Sequence, residues 1–205
     1  MVTDIHGAIE IRDPFPFERD TPWTTAIDLY PLLEEGGPCG AYPAYAYVFG
    51  VRNQYGFSPI AEARGLPTDV SPELRTTLEP LTDFHSISWV SWSELLDLDH
   101  SGSFGHIVGY LAWGSPDSSL EWTRLVPSVP RLDELAFAGI RPGPELELSV
   151  PSDWQHQGVN YRYRPMTLGT YFGEGTPWGH VFAVMRALAG RFGDDGVRLV
   201  AAFDS

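Results

Sequence analysis

The C-terminal end of the chain constrains the fold more than any other part. Apolar residues recur at helical spacing between Pro177 and Phe192, and Thr176 stands where a helix cap is expected. A turn sequence at 194–196 leads into the strongly apolar run 197–203, a pattern typical of a buried strand. The sequence therefore predicts one long C-terminal helix followed directly by a strand.

The N-terminal end also has the pattern of a strand. Ile5, Ile9 and Ile11 alternate with other residues, and the pattern stops before Pro14. Strands at both ends with short helices between them indicate an α+β fold with a mixed or antiparallel sheet. A length of 205 residues, of which 43% are hydrophobic, suits a single globular domain over 1–205.

Local signals predict the elements of the N-terminal half. A Ser-Pro-Glu start at 71–73 indicates a short helix, and the S-x-x-E spacing at 91–94 is that of a capping box at the start of another. Residues 85–90 are expected to form a strand. The Gly- and Pro-rich run 36–40 predicts a break in the chain.

Fewer signals mark the second half before the long helix. Residues 145–150 and 159–166 alternate in the manner of paired antiparallel strands, and 152–158 is predicted to be the turn between them. Residues 131–139 are expected to add a helical turn or two.

The charge of the chain narrows its partners and its location. The net charge is −14, and all thirteen basic residues are Arg. Such an acidic surface repels nucleic acid, so general nucleic-acid binding is disfavoured. We expect no targeting segment, because the first residues form neither a charged nor an apolar region. No apolar run is long enough to span a membrane, and Cys39 has no second Cys to pair with. We expect a cytoplasmic protein without a membrane partner; a homo-oligomer remains open.

Several short segments, taken in order, resemble one known family. They are Asp4-Ile5-His6 with Glu10 and Arg12, the run 49–53, the loop 59–71, the stretch 85–96 and the ending 197–204. Together they are similar to a family of uncharacterised phage and prophage proteins that usually begin M-G-C-D-I-H. The resemblance implies a phage context and no activity. Thr3 stands where that family has Cys, and Ile87 stands where it often has a second His.

Two T-D-x-H tetrads, at 3–6 and 82–85, supply the candidate catalytic residues. Asp and His two positions apart project from the same face of a strand, so Asp4 with His6, and Asp83 with His85, could each act together. We predict that the two His residues lie beside one cavity. They could serve as acid and base on a phosphoester, with or without a divalent metal. The alternative is that they only bond the backbone.

The stretch 85–88 contains two hydroxyls as well as a His. On a regular strand, Ser86 and Ser88 share one face and His85 lies on the other. The sequence therefore argues against a direct Ser–His pair within this segment.

Arg residues supply the candidate ligand-binding groups, because guanidinium forks match phosphate oxygens in two-point contacts. Two lie in the family-like segments and two lie in the Tyr-Arg-Tyr-Arg run, and two aromatic residues are candidates for a stacking wall: Arg52, Arg64, Arg162, Arg164, Trp89 and Tyr163. The alternative is a solvated strand face on which Arg side chains pair with nearby acids.

These features favour a phage-type accessory protein that binds and sequesters a small phosphorylated, nucleotide-like ligand such as a host defence signal. One alternative is a phosphodiesterase-like hydrolase of that ligand that uses His6 and His85. Another is a virion or host-protein interaction module. No particular cofactor is indicated, and neither turnover nor the ligand's identity follows from the sequence.

Overall fold

A computed structural model describes residues 4–15, 20–33, 37–53, 56–79, 84–96, 98, 109–114, 122–126, 152–156, 158–165 and 167–204. The chain divides into two compact units. The first contains Met1–Asn53, Ser58–His100 and Tyr171–Ser205, and the second contains Gln54–Phe57 and Ser101–Thr170. The α+β class is confirmed, because helices accompany antiparallel sheets. The expectation of one domain over 1–205 stays a prediction.

The strands form two four-stranded antiparallel sheets. In chain order they are β1 (Ile5–Arg12), β2 (Trp23–Asp28), β3 (His85–Ser91), β4 (Gly109–Gly114), β5 (Trp122–Val126), β6 (Ser152–His156), β7 (Val159–Pro165) and β8 (Val197–Phe203). The first sheet has the order β2-β1-β8-β3, and the second has the order β5-β4-β7-β6.

The described residues also form six helices and one 3-10 turn. The helices are α1 (Tyr30–Leu33), α2 (Gly37–Phe49), α3 (Pro72–Leu78), α4 (Trp92–Leu96), α5 (Gly169–Phe172) and α6 (Pro177–Phe192), and the 3-10 turn is Asp194–Gly196. The predicted long C-terminal helix is confirmed as α6. No helix within the described ranges combines the length and the apolar character needed to cross a membrane.

The predicted helix starts form as expected. The Ser71 hydroxyl accepts a hydrogen bond from the Leu74 amide at the start of α3, and the Thr176 hydroxyl accepts one from Gly179 at the start of α6. Side-chain oxygens at these positions satisfy amides that have no partner inside the helix. Short polar signals therefore determine where both helices begin.

The predicted break at 36–40 is wrong. Helix α2 begins at Gly37 and continues through this run to Phe49. Pro38 lies in the first turn, where a missing amide hydrogen removes no helical hydrogen bond. The Gly- and Pro-rich composition therefore marks a helix start rather than an interruption.

The central strand of the first sheet is covered on both faces. Every residue of β8 is buried. On one face, Val200 and Ala202 pack with residues of α3, including Leu74 and Leu78. On the other face, the Phe203 ring contacts aromatic rings of α2. Burial of both faces explains the continuous apolar run that the sequence has here.

Gly7 of β1 lets two strands of the first sheet approach closely. Its φ of +137° lies in a region that L side chains rarely adopt, and a Cβ atom there would come within 2.0 Å of the Val200 carbonyl oxygen. Only glycine fits this position. Gly7, which directly follows Asp4-Ile5-His6, is therefore required for the close packing of β1 against β8.

The second sheet corrects the predicted turn at 152–158. Residues Ser152–His156 form strand β6, which pairs with β7, and only positions 157 and 158 separate the two strands. Gly158 has a φ of +79°, as a tight hairpin turn requires. The predicted strand over 159–166 is confirmed as β7. The predictions for 131–139 and 145–150 lie outside the described residues.

Candidate functional site

The polar face of the β6–β7 hairpin carries two of the predicted ligand-binding residues. Arg162 and Arg164 are two positions apart on β7, so they lie on the same face. Asp153 lies opposite Arg162 on β6. Its carboxylate accepts a hydrogen bond from Arg162 Nε at 3.2 Å and one from Arg164 Nη2 at 2.9 Å. One acid thus holds two guanidinium groups.

This Arg–Asp–Arg triad is open to solvent. The side chains of Arg162, Arg164 and Asp153 are 53%, 41% and 57% exposed. Hydrogen bonds from Arg164, and then from Arg162, hold the pKa of the Asp153 carboxyl below its usual value. The formal charges of the three triad side chains sum to +1, whereas the chain as a whole has a net charge of −14.

Tyr163 does not line the same face as these Arg residues. It alternates with Arg162 and Arg164 along β7, is fully buried, and burial raises its pKa to about 12. Its ring therefore offers no open surface for a ligand to stack on. A partly exposed aromatic pair of this hairpin is Trp154 with Tyr161, whose rings stack at 5.2 Å.

The terminal nitrogens of Arg64 are bonded to other groups of the first unit. Its guanidinium makes two contacts to the Glu94 carboxylate, at 2.7 and 3.0 Å, and donates to the carbonyls of Ile60 and Trp89. It also lies 5.0 Å from the centre of the Trp89 ring. These contacts use both terminal nitrogens and one face of the predicted stacking residue. Arg64 and Trp89 therefore tie a loop to β3 and α4.

Glu94 links this Arg64 cluster to the start of α4. Its carboxylate also accepts hydrogen bonds from the Ser91 amide and hydroxyl, which completes the predicted capping box. Hydrogen bonds from Arg64 and Ser91 lower the pKa of Glu94 to about 2. The carboxylate therefore stays charged across the whole neutral and mildly acidic range.

Arg52 lies beyond the end of α2 in the left-handed backbone region, with a φ of 54°. Its guanidinium carbon is 5.8 Å from the centre of the Tyr42 ring. Arg52 and Arg64 belong to the first unit, whereas Arg162 and Arg164 belong to the second. The pair on β7 is therefore the Arg cluster that the described contacts bring together.

His6 and His85 lie near one end of the first sheet, on strands that flank β8, but they lie on opposite faces. His6 is directly opposite Ala202, and His85 is directly opposite Phe203. Adjacent residues of a strand point to opposite faces, so their partners do too. The prediction that both imidazoles lie beside one cavity is therefore wrong.

Each imidazole has its own surroundings. The His6 ring packs on Phe84 at 4.8 Å, and its Nε2 lies 3.0 Å from the Asp204 carboxylate. Asp204 also accepts a hydrogen bond from the Asp4 amide. His6 is thus paired with an acid that the tetrads do not include. Asp83 lies outside the described residues.

The His85 segment departs from a regular strand. Three steps along β3, from His85 to Ser88, match two steps along β8, from Phe203 to Ala201. The extra residue is a bulge, and Ser86 within it has a φ of 53°. The bulge turns the Ser86 hydroxyl to within 2.9 Å of His85 Nδ1. The expectation that Ser86 points away from His85 is therefore wrong.

A charge network built on the buried pair of Arg198 and Glu10, with the half-exposed Asp69, lies at the start of α3. Arg198 Nε donates to the Glu10 carboxylate at 2.7 Å, and Arg198 Nη1 donates to Asp69 at 2.8 Å. The guanidinium carbon is 3.9 Å from the Trp23 ring centre. Burial favours a higher pKa for Asp69, but hydrogen bonds from Arg198 and Trp23 outweigh it and lower the pKa. Glu10 also accepts the Ser71 amide, so the network anchors this helix to the sheet.

The sequence analysis did not identify the acids that pair with these Arg and His side chains: Glu10, Asp69, Glu94 as the Arg64 partner, Asp153 and Asp204. One of them had a usable signal. A two-residue loop ending in Gly158 predicts a hairpin in which residue 153 lies opposite residue 162. The other pairs join positions far apart in the chain, and no spacing rule connects them.

The candidate metal site has no support within the residues that the structure describes, where no group of three or more His, Cys, Asp or Glu residues could hold a metal ion.

Comparisons with known proteins give no relative to guide the assignment: no family model, no curated protein and no solved structure matches the chain. Function must therefore be argued from the side chains themselves.

Proposed function

We propose that this protein binds a small phosphorylated, nucleotide-like ligand on the polar face of the β6–β7 hairpin, through Arg162 and Arg164. The observation that carries the proposal is the exposed triad in which two guanidinium groups share the single carboxylate of Asp153. A phosphate group carries more acceptor oxygens and more charge than one carboxylate. Arg164 also donates to the Tyr163 carbonyl, and a phosphate could accept from the donors of both guanidinium forks more fully than the carboxylate does.

The geometry of the triad supports exchange with a ligand. Arg162 and Arg164 are held on one strand face, and Asp153 keeps them close together while no ligand is bound. An exposed ion pair contributes little stability, so replacing Asp153 by a phosphate costs little. The excess positive charge of the triad also attracts anions locally, although the chain as a whole repels them.

The proposed role is sequestration without turnover. The side chains of Gln155 and Asn160, on the same face of the hairpin as the triad, are amides that bond each other. Amides and guanidinium groups recognise phosphate and sugar oxygens but do not exchange protons at neutral pH. Together with the phage-like segments of the sequence, this supports a cytoplasmic accessory protein that captures a host signalling nucleotide.

A ligand panel tests the proposal directly. The protein is incubated with inorganic phosphate, AMP, ADP and linear and cyclic dinucleotides, and the bound, released and altered species are separated by chromatography and identified by mass spectrometry. We expect at least one phosphorylated compound to be retained and recovered chemically unchanged. Retention of none would contradict binding, and recovery of cleaved nucleotide in multiple-turnover amounts would contradict sequestration.

Substitution of the triad shows whether binding occurs there. Replacing Arg162 or Arg164 by Gln removes a charge-assisted contact that contributes about 1.5–3 kcal/mol, which lowers affinity roughly ten- to hundredfold. The matched control is Arg75→Gln, because Arg75 also forms an exposed pair with one acid, Glu79. Equal affinity in all three variants and the wild type would place the ligand elsewhere.

A further inference from the structure

The bulge in β3 places a serine hydroxyl beside an imidazole at an exposed edge of the first unit. Ser86 Oγ and His85 Nδ1 are 2.9 Å apart. This distance lies within the range over which an imidazole takes the proton of a hydroxyl nucleophile. His85 is exposed and Ser86 is partly exposed, so a small molecule in solution can reach both groups.

The backbone at Ser86 departs from ordinary strand geometry. A φ of 53° places a non-glycine residue in the left-handed region, which L side chains adopt at a cost. The neighbouring residues hold this conformation in place. The Ile87 carbonyl accepts a hydrogen bond from the Gly65 amide, and the buried Ser88 hydroxyl donates to the Ala61 carbonyl. The bulge is therefore anchored on its C-terminal side.

The imidazole is backed by a fixed aromatic surface. The His85 ring is stacked over Phe203 with ring centres 6.5 Å apart. Phe203 in turn is fully buried and contacts Tyr45 and Phe49 of α2, at 5.3 and 5.5 Å. A general base acts best when packing fixes its orientation toward the nucleophile. The Phe203 ring gives the exposed His85 imidazole a packed neighbour on one side.

Ser88, two residues further along, shows what a structural hydroxyl looks like in the same strand. It is fully buried, donates to one carbonyl and accepts a hydrogen bond from the Arg64 amide. Ser86 differs in both respects, since it is partly exposed and its hydroxyl contacts an imidazole. The Ser88 hydroxyl therefore holds the loop in place, whereas the Ser86 hydroxyl lies beside a potential base.

We propose that Ser86 and His85 form a nucleophile–base pair that hydrolyses small, uncharged carboxylic esters. This activity lies in the first unit and does not depend on the proposed ligand site on β7. The sequence alternative of a two-histidine phosphodiesterase is replaced, because His6 lies on the other face of the sheet.

The electrostatics favour an uncharged ester over a phosphoester. Asp204 follows Phe203 directly in the chain. Burial, and then the negative charge of Asp4, raise the pKa of Tyr45, which packs on the same Phe203 ring. The carboxylates of Asp4 and Asp204 thus lie at this end of the sheet, with Asp204 paired to His6 on the face opposite His85. Their negative charge disfavours an anionic substrate more than a neutral one.

The proposed reaction is an acyl transfer in two steps. Ser86 Oγ bonds to the carbonyl carbon of the ester as His85 Nδ1 takes the hydroxyl proton, and the departing alcohol then takes that proton when its bond to the carbonyl carbon breaks. Water next attacks the acyl-Ser86 ester, transferring its proton to His85. Release of the carboxylic acid returns a proton to Ser86, so both residues are regenerated.

A fluorophosphonate probe tests for the reactive hydroxyl, because Ser86 Oγ would displace its fluoride and form a stable bond to phosphorus. We expect peptide mass spectrometry of the labelled protein to locate the probe at Ser86. His85→Gln should lower the labelling rate about 10²-fold or more. Ser58→Ala, which removes another exposed serine of the first unit, should label as the wild type does.

The variant Ser86→Gly tests whether labelling is lost because the hydroxyl is gone and not because the protein has unfolded. Glycine adopts a positive φ without strain, so this variant should unfold at a temperature no lower than the wild type while losing the label and the hydrolysis of p-nitrophenyl acetate. Absence of the probe from Ser86 in the folded wild type would overturn the proposal. So would a labelling rate in His85→Gln equal to that of the wild type.

Discussion

The two sheets hold their Arg side chains in opposite ways. In the first unit, two acids share the single guanidinium of Arg198: Glu10 is fully buried and Asp69 is half exposed, while Arg198 itself is only 4% exposed. In the second sheet, two guanidinium groups share the single carboxylate of Asp153, and all three side chains are more than 40% exposed. Both are networks of three charged groups, but they differ in the sign of the majority charge and in contact with water.

This difference distinguishes a structural network from the proposed ligand site. A buried charge that loses its partner has no water to replace it, so breaking the Arg198–Glu10 pair should strongly destabilise the unit. An exposed charge that loses its partner is solvated at once, so the Asp153 triad can exchange its acid for a ligand. Burial and the majority charge together, more than the number of Arg residues, indicate where an anion binds.

The largest effect is expected from breaking the buried network. Arg198→Met leaves Glu10 buried without its guanidinium partner and should destabilise the first unit by about 3–5 kcal/mol. Chemical denaturation measures this change. The double variant Glu10→Met with Arg198→Met should recover part of the loss, because no buried charge is left unpaired and Asp69 is half exposed to water. A single variant within about 1 kcal/mol of the wild type would remove the distinction between the two networks.

An intermediate effect is expected at the one-to-one pair of Arg64 with Glu94, which is about one-third exposed. Glu94→Gln should cost about 1–2 kcal/mol, because it weakens both the charge-assisted contacts and the cap of α4. The conservative variant Glu94→Asp should recover little, since the shorter side chain cannot reach Arg64 and Ser91 together. Thermal unfolding at pH 7 compares the three proteins.

The same pair predicts a pH dependence. Glu94 has a pKa of about 2 in the fold and 4.5 as its ordinary value, so the unfolded chain takes up its proton first as the pH falls. Its contribution is therefore complete above about pH 4.5 and is lost between about pH 4.5 and 2. The difference in unfolding temperature between wild type and Glu94→Gln should shrink across this window. A constant difference down to pH 2.5 would contradict the lowered pKa.

The smallest effect on stability is expected at the exposed triad. Arg162→Gln and Arg164→Gln should each change the free energy of unfolding by about 1 kcal/mol or less, because exposed ion pairs contribute little. Chemical denaturation of both variants beside Arg198→Met makes the comparison in one experiment. A cost above about 3 kcal/mol would make the triad a structural element and weaken the case for ligand exchange.

Sequence reasoning recovered what depends on near neighbours in the chain. Strand β8, helix α6 and the caps at Ser71 and Thr176 all follow from apolar periodicity and from side-chain oxygens beside the first helical turn. The α+β class followed from the order of these elements. Such features depend on contacts within a few residues, which a single sequence displays.

What escaped prediction depends on register between distant segments. Whether His6 and His85 share a face is decided by how β1 and β3 each align with β8, and the bulge at Ser86 changes that alignment by one residue. Arg64 was predicted to bind phosphate, and its actual partner, Glu94, was not foreseen because it lies thirty positions away in the chain. A shift of one residue reverses a side chain's face, so no local pattern determines these pairings.

The most direct test of the account is the effect of Asp153→Asn on phosphate affinity, measured by isothermal titration calorimetry with inorganic phosphate and the best compound from the ligand panel. Asp153 competes with the ligand for Arg162 and Arg164, and Asn keeps its shape without its charge. The account predicts tighter binding in Asp153→Asn, roughly tenfold if about 1.4 kcal/mol of competition is removed, and weaker binding in Arg162→Gln. Unchanged or weaker binding in Asp153→Asn would contradict the account.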